Sequence, residues 1–551
     1  MSKLIVLLIL VLTQYLCISQ GKNVLLICVD DLRPALGAYD DGYAITPNID
    51  ELASESIIYR NAFAQQAVCN PSRASMLTGL RPSTTEVYNL KTHFREKLPD
   101  VTTLPELFKD NGYHAVGFGK IFHNNLDDSQ SWSKANFTVK NLTKWKLSEN
   151  ISLARESGSG PATEFADGFE ADYRDAIIVN KAKEELRKVG DKPFFIAVGL
   201  IKPHLPFVAP KKFWDLYDGR LVPDVEQSFY PIYSPLIAQT NFGELRQYSD
   251  IGGVGNLKED DRIRLVRGYY ACVSYIDSLV GELLSELKEQ GLYENTVIVF
   301  WGDHGFKLGE FGSWSKHTNY DIDTRVPLII RDVASERQVR KEIVESIDIY
   351  KSIADYFDLT PSQSLEGDDI IDTPVSTDEG SFAVSFMARS PDEIGVSIRT
   401  ARYRYTLWPN LVQELYDFRR FGERLNLASD AEYANVLNYF YDFTSKNKFE
   451  VENKIILKND VADFYDISLN WDHFERKLNV RIHSGDIYES LISSIEIYSL
   501  QGSSMIKKIL ANPENSTQLQ LGDHYSGFYV ISVQNTDGEV TRKKFLITED
   551  F

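Results

Sequence analysis

The chain has 551 residues, a formal charge of −20, and ordinary apolar (43%) and charged (25%) fractions. Such a chain is globular and too long for one core, so a large domain with at least one appendage is expected. The acidic balance excludes a general nucleic-acid binder, and an anionic ligand would need a locally basic pocket within an acidic surface.

Residues 1–20 read as an export signal, with Lys3 at a positive start, a short apolar run from Leu4 to Leu12, and Ser19 before Gln20, where the mature chain is expected to begin. The run is too short to span a membrane comfortably, no other segment is long and apolar enough, and Tyr15-Leu16 before Cys17 do not suit a lipid anchor. Removal of the signal leaves Cys28, Cys69 and Cys272, an odd set that makes no disulfide framework. Cys28 sits in an apolar run and Cys272 in a helical pattern, so both are expected to be small buried hydrophobes, whereas Cys69 lies among polar and turn-forming residues.

Val24 to Val29 is continuously apolar and stops at Asp30-Asp31, the pattern of a buried parallel strand ending in two carboxylates. Phe194 to Gly199 runs similarly into Lys202-Pro203-His204, and Thr296 to Trp301 stops at Gly302-Asp303-His304-Gly305. Helical spacing is clearest from Ile263 to Leu287, with Gly291 as a stop. Alternating strands and helices predict an α/β sheet, whose ligand site lies outside the carboxyl ends of the strands. The composition changes after about Phe443, which predicts a linker over 444–466 and, from about Ile467 to 551, a separate domain of short strands.

The chemistry concentrates in a few stretches. Cys69-Asn70-Pro71-Ser72-Arg73, followed by Leu77-Thr78-Gly79, places a sulfur near a helix N-terminus, where positive dipole and cation favour an anion. These residues alone leave a thiol nucleophile and a surface cysteine both open. Asp30, Asp31, Asp303 and His304 form two pairs at strand ends, whose oxygen-rich character suits a hard cation; one such pair alone would read as a turn cap. Lys120 and His123 in Gly119-Lys120-Ile121-Phe122-His123 offer a cation and an imidazole on one face.

Cys-x-Pro-Ser-Arg followed by Leu-Thr-Gly resembles the signature of type I sulfatases. The forms Lys-x-x-His, Lys-Pro-His-x-Pro-Phe and Gly-Asp-His-Gly with the later Trp-Ser-Lys look like the iduronate-2-sulfatase branch, over roughly Asn23 to Ala428. The resemblance implies an alkaline-phosphatase-like α/β fold: a large, mostly parallel central sheet flanked by helices, with a smaller C-terminal α+β subdomain from about 375, all within a catalytic domain of 21–443. It implies that a formylglycine-generating or anaerobic sulfatase-maturating enzyme converts Cys69 to formylglycine, whose hydrate supplies the nucleophile. Asp30, Asp31, Asp303 and His304 would then hold Ca2+, or Mg2+, with the formylglycine as a further ligand. His123 would be the base, His204 the acid that protonates the departing sugar oxygen, and Lys316 a sulfate ligand; Arg73, Lys120 and Lys316 would offset negative charge. His114 and His317 receive no role.

Bacterial members of this branch act on sulfated uronates and other polysaccharides, ulvan included, so a sulfated carbohydrate is the implied partner. The tail, Ser526 to Val533 and Lys543 to Ile547, resembles the sorting domain of type IX secretion; a carbohydrate-binding or spacer sandwich is the alternative. Together these imply a secreted or cell-surface enzyme and a partner in the type IX machinery. Two rival functions are a phosphomonoesterase or phosphodiesterase of the same superfamily, and a non-catalytic protein that binds sulfated glycan. Trp132, Trp145 and Tyr230 are aromatics that could stack on a sugar ring or simply pack.

Overall fold

The computed structural model describes residues 23–447, apart from 169, 241–242, 253–256, 334–336, 373–380 and 392, and beyond them seven strands between Tyr465 and Ile547. The expected signal at 1–20 and most of the expected linker at 444–466 lie outside the described residues. Two compact units are present, one of Met1–Ser234 and Gln239–Val451, the other of Pro235–Ala238 and Glu452–Phe551.

The first unit is organised on a seven-stranded sheet. Its strands are β1 (Asn23–Val29), β2 (Ile57–Phe63), β3 (His114–Gly119), β4 (Phe194–Leu200), β5 (Thr296–Gly302), β6 (Arg325–Arg331) and β7 (Gln338–Glu345). Their order is β7-β2-β6-β5-β1-β4-β3. Only β6 runs against its neighbours; every other pairing is parallel.

The unbroken apolar runs follow from burial on both faces. In β1, Leu25, Ile27 and Val29 enter one core while Val24, Leu26 and Cys28 enter the other, as the two-residue strand period requires. The same division separates Ile298 and Phe300 from Val297, Val299 and Trp301 in β5. The first core is closed by a long helix, Glu259–Glu289, whose Leu265, Tyr269, Cys272, Ile276, Leu279 and Leu283 form a continuous stripe. This helix starts four residues before the apolar pattern does, because Glu259, Asp260 and Asp261 complement its positive N-terminal end.

A second, antiparallel sheet of Phe382–Ser390, Glu393–Thr400, Tyr403–Trp408 and Val412–Asp417 carries the helix Ala434–Lys446. Phe440 of that helix stacks on Tyr405 with 5.5 Å between ring centroids, beside Ile398 and Leu415. The C-terminal unit consists of a three-stranded and a four-stranded antiparallel sheet. No described helix is long and apolar enough to cross a membrane.

Candidate active site

Four parallel strands of the sheet deliver the polar residues to one edge. Asp30 and Asp31 follow β1, Asp303 and His304 follow β5, Lys120 and His123 follow β3, and Lys202 and His204 follow β4. The turn after β3 depends on Gly119, at φ +82°, where a Cβ would lie 2.2 Å from the Gly199 carbonyl oxygen, so no larger residue fits. Cys69 opens a helix, α1 (Cys69–Thr78), whose ten residues are all buried. Residues that look like a polar surface loop in the sequence are therefore interior, and each needs a partner.

Those partners form the site. Arg73 is fully buried and donates from Nε to Asp303 Oδ2 (2.8 Å), from Nη2 to Asp30 Oδ1 (3.4 Å), and from Nη1 to the carbonyls of Lys120 and Ile121. Ser72 donates to the Asp303 carbonyl, and Asp303 Oδ1 accepts the amides of Asp31 and His304, both at 3.0 Å. Lys120 pairs with Asp30 at 2.6 Å and Lys316 with Asp31 at 2.9 Å.

His304 tests whether a cation fits. Its Nδ1 lies 3.0 Å from the Gly305 carbonyl and so carries the hydrogen, which leaves the Nε2 lone pair facing the site. That lone pair meets Cys69 Sγ at 3.3 Å, Asp31 Oδ1 at 3.5 Å and Asp303 Oδ1 at 3.7 Å. A lone pair aimed at two carboxylates is repelled unless a positive ion lies among them. Asp30, Asp31, Cys69 and His304 present ligand atoms all within 4.8 Å of one another, which fits a metal centre. Asp303 borders this group of four, with one oxygen committed to Arg73.

The field around the site is uneven. Burial alone raises the Asp30 carboxyl, but Lys120, then His204 and Arg73, overrule it and hold it well below the carboxylate range. Asp303 stays raised, because His304 and Arg73 only partly offset its burial. Burial and the charge of Asp30 hold the Cys69 thiol well above its ordinary value; a bound dication would reverse the sign of that field. Burial, then Lys120, pushes the His123 imidazole down to about 3.

Every expected site residue therefore has a definite place. Asp30, Asp31, Cys69, Arg73, Lys120, Asp303, His304 and Lys316 form one buried network. Half-buried His123 and His204 border it: His204 contributes to the field at Asp30, and His123 feels the charges of Lys120 and Asp30. The two histidines given no role in the sequence are engaged elsewhere: His114 binds Glu185 at 2.7 Å, and the half-buried His317 offers its carbonyl to Arg389.

The aromatics have packing roles. Trp132 sits edge-on to Phe122, Trp145 donates to the Pro161 carbonyl, and Tyr230 stacks on Phe311 at 5.7 Å.

Sequence reasoning missed Glu244, which joins His204 Nε2 (3.2 Å) to Lys316 Nζ (2.9 Å). A single glutamate in a loop with no motif around it carries no signal; only the fold brings it 40 residues beyond His204 and back to it.

A mostly parallel α/β sheet that empties acids, cations and imidazoles around a buried helix-terminal sulfur defines an α/β protein with a candidate metal-binding cluster at its strand ends. The chain belongs to the sulfatase family, whose model matches residues 22–359, and residues 475–548 match the secretion system C-terminal sorting domain. It is 39% identical to the iduronate 2-sulfatase of Homo sapiens over 339 residues, covering 58% of this chain and only 60% of that protein. It is 28% identical to a sulfatase of Formosa agariphila, over 80% of this chain and 87% of the relative.

Among solved structures, a phosphonate monoester hydrolase from Silicibacter pomeroyi superposes with a TM-score of 0.63 at 21% identity, covering 81% and 97% of the two chains. A 2-O GAG sulfatase gives 0.61 at 21%, covering 78% and 93%. The fold is the alkaline-phosphatase-like sulfatase fold. The sorting domain assigns the chain to secretion, to the cell surface or beyond.

Proposed function

We propose that this chain hydrolyses sulfate esters of a polysaccharide or oligosaccharide, with Cys69 matured to formylglycine and Ca2+ held by Asp30, Asp31, Asp303 and His304. The observation that carries the reading is the setting of Cys69: first residue of a buried helix, 3.3 Å from a histidine lone pair, among acids and flanked by two lysines. Sulfur is a poor ligand for a hard cation, and an oxygen at that position makes the donor set one that calcium or magnesium prefers. Once in place, the ion supplies charge neutralisation and the aldehyde hydrate an oxygen nucleophile.

The other steps fall to side chains of the site. Lys120 and Lys316 are buried cations, each paired with an acid, that can meet the oxygens of a sulfate group. Arg73, expected to offset charge on the substrate, instead spends its guanidinium on Asp303, Asp30 and two carbonyls, so it positions the metal-binding acids. His123, neutral above about pH 3, is available as a base.

His204 has Nδ1 turned to the Leu205 carbonyl at 2.7 Å, which leaves Nε2 to deliver a proton to the departing sugar oxygen. Nε2 meets the Glu244 carboxylate, which Lys316 and His204 hold ionised against the effect of its burial; the contact therefore needs the hydrogen on His204. Glu244→Gln is expected to lower kcat about tenfold through weaker proton delivery by His204, with a smaller change in KM through its contact with Lys316. A rise in KM alone would assign Glu244 to substrate binding instead.

The deciding experiment is sulfate release from ulvan, heparin and chondroitin oligosaccharides and an aryl sulfate, with mass spectrometry at Cys69. The protein should first be matured by a formylglycine-generating or anaerobic sulfatase-maturating enzyme. A chelator is expected to reduce turnover to background, with Ca2+ restoring it better than Mg2+. Undiminished turnover after exhaustive chelation overturns the metal assignment, and phosphate esters cleaved in preference to sulfates would reassign the chain to the phosphatases. The sorting domain supports a partner in the type IX secretion machinery and action outside the cell.

A further inference from the structure

A cavity of about 140 Å³ opens from the site, lined by the site residues Asp30, Lys120 and His204 together with Lys144, Arg174 and Lys202. Pockets that enclose a whole drug-sized ligand run to about 300–1,000 Å³. This one therefore has room for a substituent of a larger molecule rather than for the molecule itself. Tyr173 and Tyr275, edge to face with centroids 5.7 Å apart, form part of its wall.

Its charge is opposite to that of the chain. Five lysine or arginine residues line it against two aspartates, in a protein of formal charge −20. Both aspartates are committed: Asp30 pairs with Lys120, and Asp175 accepts the amides of Ile201 (2.6 Å) and Lys202 (3.2 Å).

Of the remaining cations, Arg174, Lys202 and Lys146 find carbonyl oxygens, and none of the four, among the described residues, has a carboxylate within ion-pair distance. Arg174 Nη2 donates to the Leu142 carbonyl at 2.7 Å, and Lys202 Nζ donates to the carbonyls of His204 and Pro206, both at 2.6 Å. Lys146 binds the Asp172 carbonyl, and Lys144 stands exposed at the rim. Burial pushes both Lys202 and Lys146 below the ordinary lysine value, the direction expected of cations without a sufficient counter-ion.

We propose that this cavity is a subsite for a second anionic group of the substrate, a carboxylate or a further sulfate on the sugar that carries the scissile ester or on its neighbour, held by Arg174 and Lys144. The proposal rests on the sulfatase reading and deepens it: the preferred substrates are polyanionic glycans rather than singly sulfated neutral ones. The forked guanidinium at the first turn of Arg174–Val189 suits a planar carboxylate or one face of a sulfate. Lys144, whose ammonium meets no carboxylate among the described residues, adds an exposed charge to the lining.

The test compares kcat/KM for three probes: a 2-sulfated uronate disaccharide, a neutral galactoside bearing two sulfates, and 4-nitrophenyl sulfate, which has no second anion. Arg174→Ala and Lys144→Ala are each expected to lower the ratio of a dianionic probe to 4-nitrophenyl sulfate about tenfold or more, as loss of a charge-assisted contact implies. Arg174→Lys should recover part of it. The probe whose ratio falls identifies the second anion as carboxylate or sulfate. Ratios that stay constant for both dianionic probes, whether all rates fall together or none does, overturn the subsite.

If the matured wild-type chain cleaves none of the three, it is the sulfatase reading that fails. Calorimetric binding of the uronate disaccharide then still decides the subsite: affinity lost in Arg174→Ala and Lys144→Ala supports it, and affinity retained in both overturns it.

Discussion

Cys69→Ala is expected to remove sulfate release from every substrate the matured wild-type chain cleaves, a loss of about 10⁴-fold or more. The size follows from position: the side chain lies at the first turn of a fully buried helix, in contact with His304 and within the candidate metal-binding cluster. The substitution removes one buried atom and adds none, so stability should change by about 1 kcal/mol or less. An unchanged urea midpoint beside lost turnover would separate chemistry from folding. Cys69→Ser is the sharper comparison, because it retains an oxygen but lacks the second hydroxyl of an aldehyde hydrate. It is expected to release at most one equivalent of alcohol and then stop, whereas sustained turnover by the serine variant would overturn the formylglycine mechanism.

Arg73→Met is expected to be the most destabilising single change at the site. It leaves Asp30 and Asp303, both fully buried, without their shared guanidinium, and it strips two carbonyls of a donor. Removing one partner of a buried ion pair costs about 3–5 kcal/mol, because the charge left behind keeps its desolvation penalty. Denaturant midpoints measured with and without calcium give the sign of the compensation. The deficit should shrink with calcium, since a dication supplies the positive charge that the arginine no longer does. A midpoint that barely moves in the calcium-free variant would mean that Lys120 alone balances the two acids.

Much of this arrangement was legible in the linear chain, for reasons that lie in strand geometry. A strand buried on both faces must be apolar throughout, so Val24 to Val29 and Thr296 to Trp301 announce themselves, and so do the charged residues that end them. The long helix is legible from its period, and its true start at Glu259 was hidden only because the first turn is acidic rather than apolar. Cys28 and Cys272 are buried and free, as expected of cysteines inside apolar patterns. The helix Cys69–Thr78 is the instructive failure. Asn70, Ser72, Arg73 and Thr78 look like surface residues, yet all are buried, because each finds a polar partner inside: Ser72 and Arg73 answer Asp303 at the end of β5, Asn70 answers the Asn89 and Thr92 carbonyls, and Thr78 answers the Ala74 carbonyl of its own helix.

What the chain determined by itself is the set of segments whose pattern is local: the strands, the amphipathic helices, the sulfur-bearing motif, and the acids and imidazoles that follow strand ends. Tertiary structure alone decided which of them meet. Parallel pairing of β3, β4, β1 and β5 brings residues 30, 120, 204 and 303 to one edge, the return of a loop places Glu244 between His204 and Lys316, and the spending of Asp175 on two backbone amides leaves Arg174 and Lys202 bonded to carbonyl oxygens. Burial, ionisation and pairing depend on distances between residues remote in sequence, and those distances exist only once the sheet has closed its two cores.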